Sequence, residues 1–141
     1  MDINDMISVL PGCESFEKLI ESNAYYVDKT SFLKTLFYSP KWVENALFTR
    51  PRRFGKTLNM SMIKAFCELD YQNPGDTTYQ QKLFIDNDRN LAVSQDEYKE
   101  LRAKVMGQVP VIYVSFRGVE GLCFHHAVDK ILTKIALLYK S

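Results

Sequence analysis

With 141 residues, 18 lysines and arginines, 17 aspartates and glutamates and a formal net charge of +1, the chain is sized for one domain and carries no bulk field that would draw it to nucleic acid or an acidic membrane. Hydrophobic residues make up 46% and charged residues 25%, the range of ordinary soluble globular proteins rather than disordered or membrane-embedded ones. Three cysteines, Cys13, Cys67 and Cys123, lie far apart without Cys-x-x-Cys spacing. That argues against a zinc site or a disulfide framework and leads us to expect free, buried thiols in a reducing cytosol. The first five residues are acidic where a secretion signal would be basic, and no apolar run approaches the roughly eighteen residues of a membrane span. The expected location is cytoplasmic, with no membrane partner.

In chain order, residues 1–44 read as a leading helical segment. A short helix is expected over 15–21, with Phe16, Leu19 and Ile20 on one side; Ser15 and Lys18 do not complete a capping box. Tyr25-Tyr26-Val27 is an extended run. Asp28 or Thr30 then caps a helix to about Phe37, with Phe32, Leu33, Leu36 and Phe37 inward, and Ser39-Pro40 ends it. The apolar run Asn45-Ala46-Leu47-Phe48-Thr49 reads as a strand.

Next come Arg50-Pro51-Arg52-Arg53-Phe54-Gly55-Lys56-Thr57 and a segment of helical spacing over 56–69, with Leu58, Met62, Ala65, Phe66 and Leu69 at helical intervals. Strand, tight loop ending Gly-Lys-Thr and helix form the context of a phosphate loop (Walker A). Backbone N–H groups and the positive end of the helix dipole converge there on one anionic site. Lys56 supplies a mobile cation for the β- and γ-phosphates, and the Thr57 hydroxyl is placed to ligate Mg²⁺. The general pattern G-x-x-x-x-G-K-[ST] has glycine where this chain has Arg50. Arg50, Arg52 and Arg53 also suit nucleic-acid phosphate, or a triphosphate gripped by paired hydrogen bonds. Met60 and Met62 read as core rather than as a soft metal site.

Asn73-Pro74-Gly75-Asp76 signals a turn. Leu83-Phe84-Ile85-Asp86 imitates a strand ending in a magnesium-linked aspartate, but its apolar run is short and Asn87-Asp88 continue the polarity. Residues 86–108 are a polar excursion with a short helix near 94–105. Residues 109–116 are apolar on both faces, as a buried parallel strand is, and end without an acid. The last helix opens at His125 and His126, which do not face the same way; Val128, Ile131, Leu132, Ile135 and Leu138 form its stripe.

The stretches Tyr25-Tyr26-Val27-Asp28-Lys29-Thr30-Ser31-Phe32 and Leu47-Phe48-Thr49-Arg50-Pro51-Arg52-Arg53-Phe54-Gly55-Lys56-Thr57-Leu58-Asn59-Met60-Ser61-Met62 resemble the bacterial AAA-ATPase-like family, and so do residues 109–116 with Gly118-Val119-Glu120-Gly121. In that family the loop commonly reads R-P-R-R-F-G-K-[ST], so arginine at position 50 is a family habit. The resemblance implies ATP and Mg²⁺ as cofactors and a nuclease-like partner domain of the PD-(D/E)XK type elsewhere, hence possible nucleic acid. It also places Val27 and Asp28 near the adenine.

The expected fold is α/β, a phosphate-loop NTPase-like parallel sheet flanked by helices. The chain is read as a single AAA-ATPase-like domain over 1–141 and as the incomplete N-terminal part of it, with the phosphate-loop core and two βα units in 45–141. Arg52, Arg53, Phe54, Gly55, Lys56, Thr57 and Leu58 are the expected nucleotide-binding residues, with Thr57 the Mg²⁺ ligand. No acid is placed to drive hydrolysis, so binding without turnover is expected. The alternatives are a nucleic-acid-binding module using the 50–53 arginines and a non-catalytic interaction remnant.

Overall fold

The computed structural model describes residues 8–37 and 42–139, which divide into two compact units, 1–110 and 111–141. The first unit is a helical assembly. Helix α1, Phe16–Glu21, begins at Ser15, whose hydroxyl accepts the Lys18 N–H at 3.3 Å. That single bond is enough to start it without the reciprocal half of a capping box. Helix α2, Phe32–Phe37, follows a turn in which Asp28 Oδ1 accepts the Thr30 N–H at 2.8 Å. The expected stop at Ser39-Pro40 lies outside the described residues.

Helix α3, Lys56–Cys67, turns Met62, Ala65, Phe66 and Cys67 inward, as its spacing demands, and leaves Met60 exposed. Helix α4, Thr78–Phe84, was not legible in the sequence; Asp76 starts it by accepting both the N–H and the hydroxyl of Thr78. Leu83 and Phe84, the imitation of a strand, are its buried last turn. The polar excursion contains two 3-10 turns, Ala92–Ser94 and Asp96–Tyr98, and helix α5, Lys99–Val105.

The core gathers where α1, α3 and α4 meet. Phe16 stacks on Phe84 with centroids 4.9 Å apart, and Phe66 meets Phe84 edge-on at 5.2 Å. The Phe16 N–H donates to Ser61 Oγ at 3.0 Å, which fixes the start of α1 on the second turn of α3. A second seam ties residues 28–34 to the excursion. Asp28 Oδ2 accepts the Ala92 N–H at 2.7 Å, the fully buried Thr30 hydroxyl accepts the Val93 N–H at 3.1 Å, and Lys34 pairs with Glu97.

The second unit holds residues 111–116 without regular secondary structure and helix α6, Phe124–Leu138. No described residue of this unit is buried.

The expected parallel sheet is not there. Among the described residues there is no strand, only the isolated parallel bridges Ser8 with Ala24 and Glu68 with Val109. A strand exists only where a neighbour takes up its N–H and C=O groups. Residues 45–49 have no such neighbour among the described residues, and Leu47 is 88% exposed. At the other candidate, the ladder stops after Val109, which donates to Cys67 O and accepts from Leu69 N. The apolar pattern of both segments is real, but the α/β reading built on it is wrong for this structure.

Candidate nucleotide site

The loop over 50–55 folds tightly because two residues with one between them, Arg53 at φ 67° and Gly55 at φ 71°, are left-handed. Glycine takes that conformation without penalty and caps α3 from it. Arginine does not, and a non-glycine residue held there costs on the order of 1–3 kcal/mol, a cost seen mostly where function requires the shape. Arg50 has no positive φ. The position that the general pattern gives to glycine therefore needs none here, and Pro51 already biases its predecessor to extended geometry.

Four N–H groups at a helix start have no partner within the helix. Among the described residues, none accepts from the backbone N–H groups of Gly55, Lys56, Thr57 or Leu58. Lys56 turns its ammonium back onto the loop, donating to the carbonyls of Arg50 and, at 3.1 Å, Pro51. Thr57 is exposed on the first turn of α3.

Two cavities flank this helix start. The larger, about 830 Å³, is lined by Arg52, Arg53, Gly55, Lys56, Thr57 and Leu58, and across from them by residues 10–14 with Leu19 and Tyr25. The smaller, about 330 Å³, is lined by Arg53, Phe54, Gly55, Leu58 and Asn59 with Tyr25, Tyr26, Val27 and Lys29. All seven residues singled out in the sequence thus line one cavity or both. Val27 does so as well. Asp28 lines neither; its two carboxylate oxygens are taken by the N–H groups of Thr30 and Ala92.

Residues 10–14 and Tyr25 lie outside the motif and were not expected at the site. The Tyr25 N–H donates to Ser8 O at 2.7 Å, and the parallel bridge from Ser8 to Ala24 lays the leading segment beside this run. The only readable hint was the Pro11-Gly12 pair, a turn signal, with Gly12 at φ 75°. Tyr26 is inward, against Phe16 at 5.4 Å, and burial pushes its hydroxyl up to about 12. It accepts the Lys29 N–H at 3.3 Å. Of the described residues lining the two cavities, Glu14 is the one acid; Asp86 lines neither. Among the described residues no group of three or more His, Cys, Asp or Glu could hold a metal ion, so a metal here would depend on Thr57 and on oxygens of its ligand. No helix of the described residues is long and apolar enough to cross a membrane.

A family model described as "Predicted AAA-ATPase", AAA-ATPase_like, matches residues 11–140. No curated protein and no solved structure gives a match.

Proposed function

We propose that this chain, which belongs to the AAA-ATPase-like family, binds ATP with Mg²⁺ at the 50–58 loop, acting in the cytoplasm. The observation that carries this reading is the convergence of the α3 helix start, Lys56 and Thr57 on one cavity of about 830 Å³, large enough for a nucleotide. In this reading the N–H groups of residues 53–57 cradle the β-phosphate, where the helix dipole favours negative charge. Lys56 leaves the Arg50 and Pro51 carbonyls to bridge the β- and γ-phosphates, and Arg52 and Arg53 draw the triphosphate in. Thr57 Oγ1 would hold Mg²⁺, which neutralises phosphate charge when bound. Binding is the function proposed, and turnover is not, since Glu14 is exposed and Asp86 stands apart from both cavities.

Calorimetry with Mg-ATP, Mg-ADP and Mg-GTP on the wild type and Lys56→Ala tests the site. Each charge-assisted hydrogen bond lost should cost about 1.5–3 kcal/mol, so affinity should fall by about tenfold or more. Equal affinity of the two proteins would refute the assignment. A second reading rests on the exposure of Arg50, Arg52 and Arg53, which suits a nucleic-acid backbone. It predicts DNA binding that weakens steeply with salt and ignores Lys56→Ala.

A further inference from the structure

The far wall of the larger cavity is built differently from the wall that carries the loop. It consists of residues 10–14, which belong to no helix and cross between two fixed points. At one end the Tyr25 N–H donates to Ser8 O at 2.7 Å. At the other, Ser15 caps α1 and the Phe16 N–H donates to Ser61 Oγ at 3.0 Å, which ties the segment to α3 itself. Between these points the Cys13 N–H donates to Leu10 O at 3.3 Å. With Pro11 second and Gly12 third at φ 75°, residues 10–13 have the pattern of a type II turn. Such a turn is stiff, because proline fixes its own φ and glycine takes the positive φ without penalty. The Cys13 thiol adds a weak bond to Ser15 O at 3.2 Å. Bending is left to the residues that flank the turn, 9 and 14. Val9 is 69% exposed and Leu10 40%, and a Cβ on Gly12 would meet no atom within 4 Å. An apolar lining residue, Leu10, thus stands partly in water across from Arg52, Arg53 and Lys56, with open space beside its turn.

Resting on the phosphate-loop reading, we propose that residues 9–14 are a strap that swings onto the ligand held at the start of α3. A ligand shifts such an equilibrium only through contacts that one state has and the other lacks. Closure adds two. Leu10 leaves water, and water leaves the space between the strap and the three cations, where their attraction for a polyanion then strengthens. The far anchor of the strap, Phe16 on Ser61, sits on the same helix whose start holds the ligand. Closure therefore needs the turn to move and leaves α1 and α3 in place.

Cys13 reports the position of the strap. In a Cys123→Ser background it is the reactive thiol, since Cys67 is 2% exposed. Calorimetry establishes Mg-ATP binding by this parent protein, and a thermal melt verifies the fold of each variant. Saturating Mg-ATP should slow alkylation of Cys13 by a small maleimide by about tenfold or more, the open strap having become the minor state. Leu10→Ser weakens closure and leaves the loop untouched. It should restore much of that reactivity and release Mg-ATP about tenfold faster, with association nearly unchanged. Cys13 reactivity that ignores bound Mg-ATP, or protection and release that are equal in Leu10→Ser and the parent, would make residues 10–14 a fixed wall. The strap would then be overturned and the phosphate loop would stand. A parent protein that binds no Mg-ATP would overturn both readings together.

Discussion

Helices α3 and α6 carry the same kind of sequence signal and meet different fates. Each has apolar residues at helical intervals: Leu58, Met62, Ala65 and Phe66 in one, Val128, Ile131, Leu132, Ile135 and Leu138 in the other. In α3 the stripe is the centre of the core, with Met62 and Phe66 fully buried; in α6 no residue is buried, and Leu132 is 57% exposed. Periodicity therefore identifies which face of a helix is apolar and leaves open what that face meets. The aromatic triad of Phe16, Phe66 and Phe84 is what decides it for α3.

Removing a member of that triad is the sharpest test of the contrast. Phe66→Ala should destabilise the protein by about 3–5 kcal/mol, while Leu132→Ala should shift it by less than about 0.5 kcal/mol. Urea titrations followed by circular dichroism would measure both. Comparable losses would mean that α6 has a core of its own.

Alkaline pH probes the buried side of the same comparison. Burial raises the Cys67 thiol from 9.0 to about 12 and the Tyr26 hydroxyl from 10.0 to about 12. A group whose folded pKa is raised keeps its proton in the folded state while the unfolded chain releases it. The stability it contributes is complete below the unfolded value and is lost as pH climbs toward the folded one. Stability should thus fall between pH 9 and 12 by on the order of a few kcal/mol, and Cys67→Ala should flatten the decline.

Smaller effects concern the seam and the loop. Thr30→Val strands the Val93 N–H in a buried position and should cost about 1–3 kcal/mol, with Val93 amide exchange accelerating. Gly55→Ala meets no atom within 4 Å yet keeps φ at +71°. Its loss should be about 1–2 kcal/mol from backbone strain alone, seen as a lower melting temperature. Arg50→Gly should leave Mg-ATP affinity unchanged, because position 50 has no positive φ for glycine to relieve. A tenfold tighter complex would show that arginine there obstructs the loop.

Much of the site was legible because its chemistry is local. Gly55, Lys56 and Thr57 are adjacent, so the helix start and its two candidate side chains follow from their order in the chain. Tyr25 lies thirty positions before Gly55, and only the folding of α1 onto α3 brings it there. The helices over 16–21, 56–67 and 124–138 follow from spacing. Helix α4 escaped notice because its polar residues Gln80, Gln81 and Lys82 mask the stripe; Gln80 is in fact buried, its amide donating to Glu68 O at 3.0 Å. The strands failed for a different reason. Apolar runs at 45–49 and 109–116 state a preference for burial, and hydrogen-bonded pairing requires a second chain segment that a linear pattern does not name.

Lys56 has one more implication. An ammonium has three N–H donors, and two of them are held by the carbonyls of Arg50 and Pro51. In the proposed site, an anion that draws the ammonium away would have to outcompete both, and a polyphosphate offers several oxygens at once. The same displacement unties the chain entering the loop. In the proposed site, capture of the ligand and loosening of residues 50–51 would be one event.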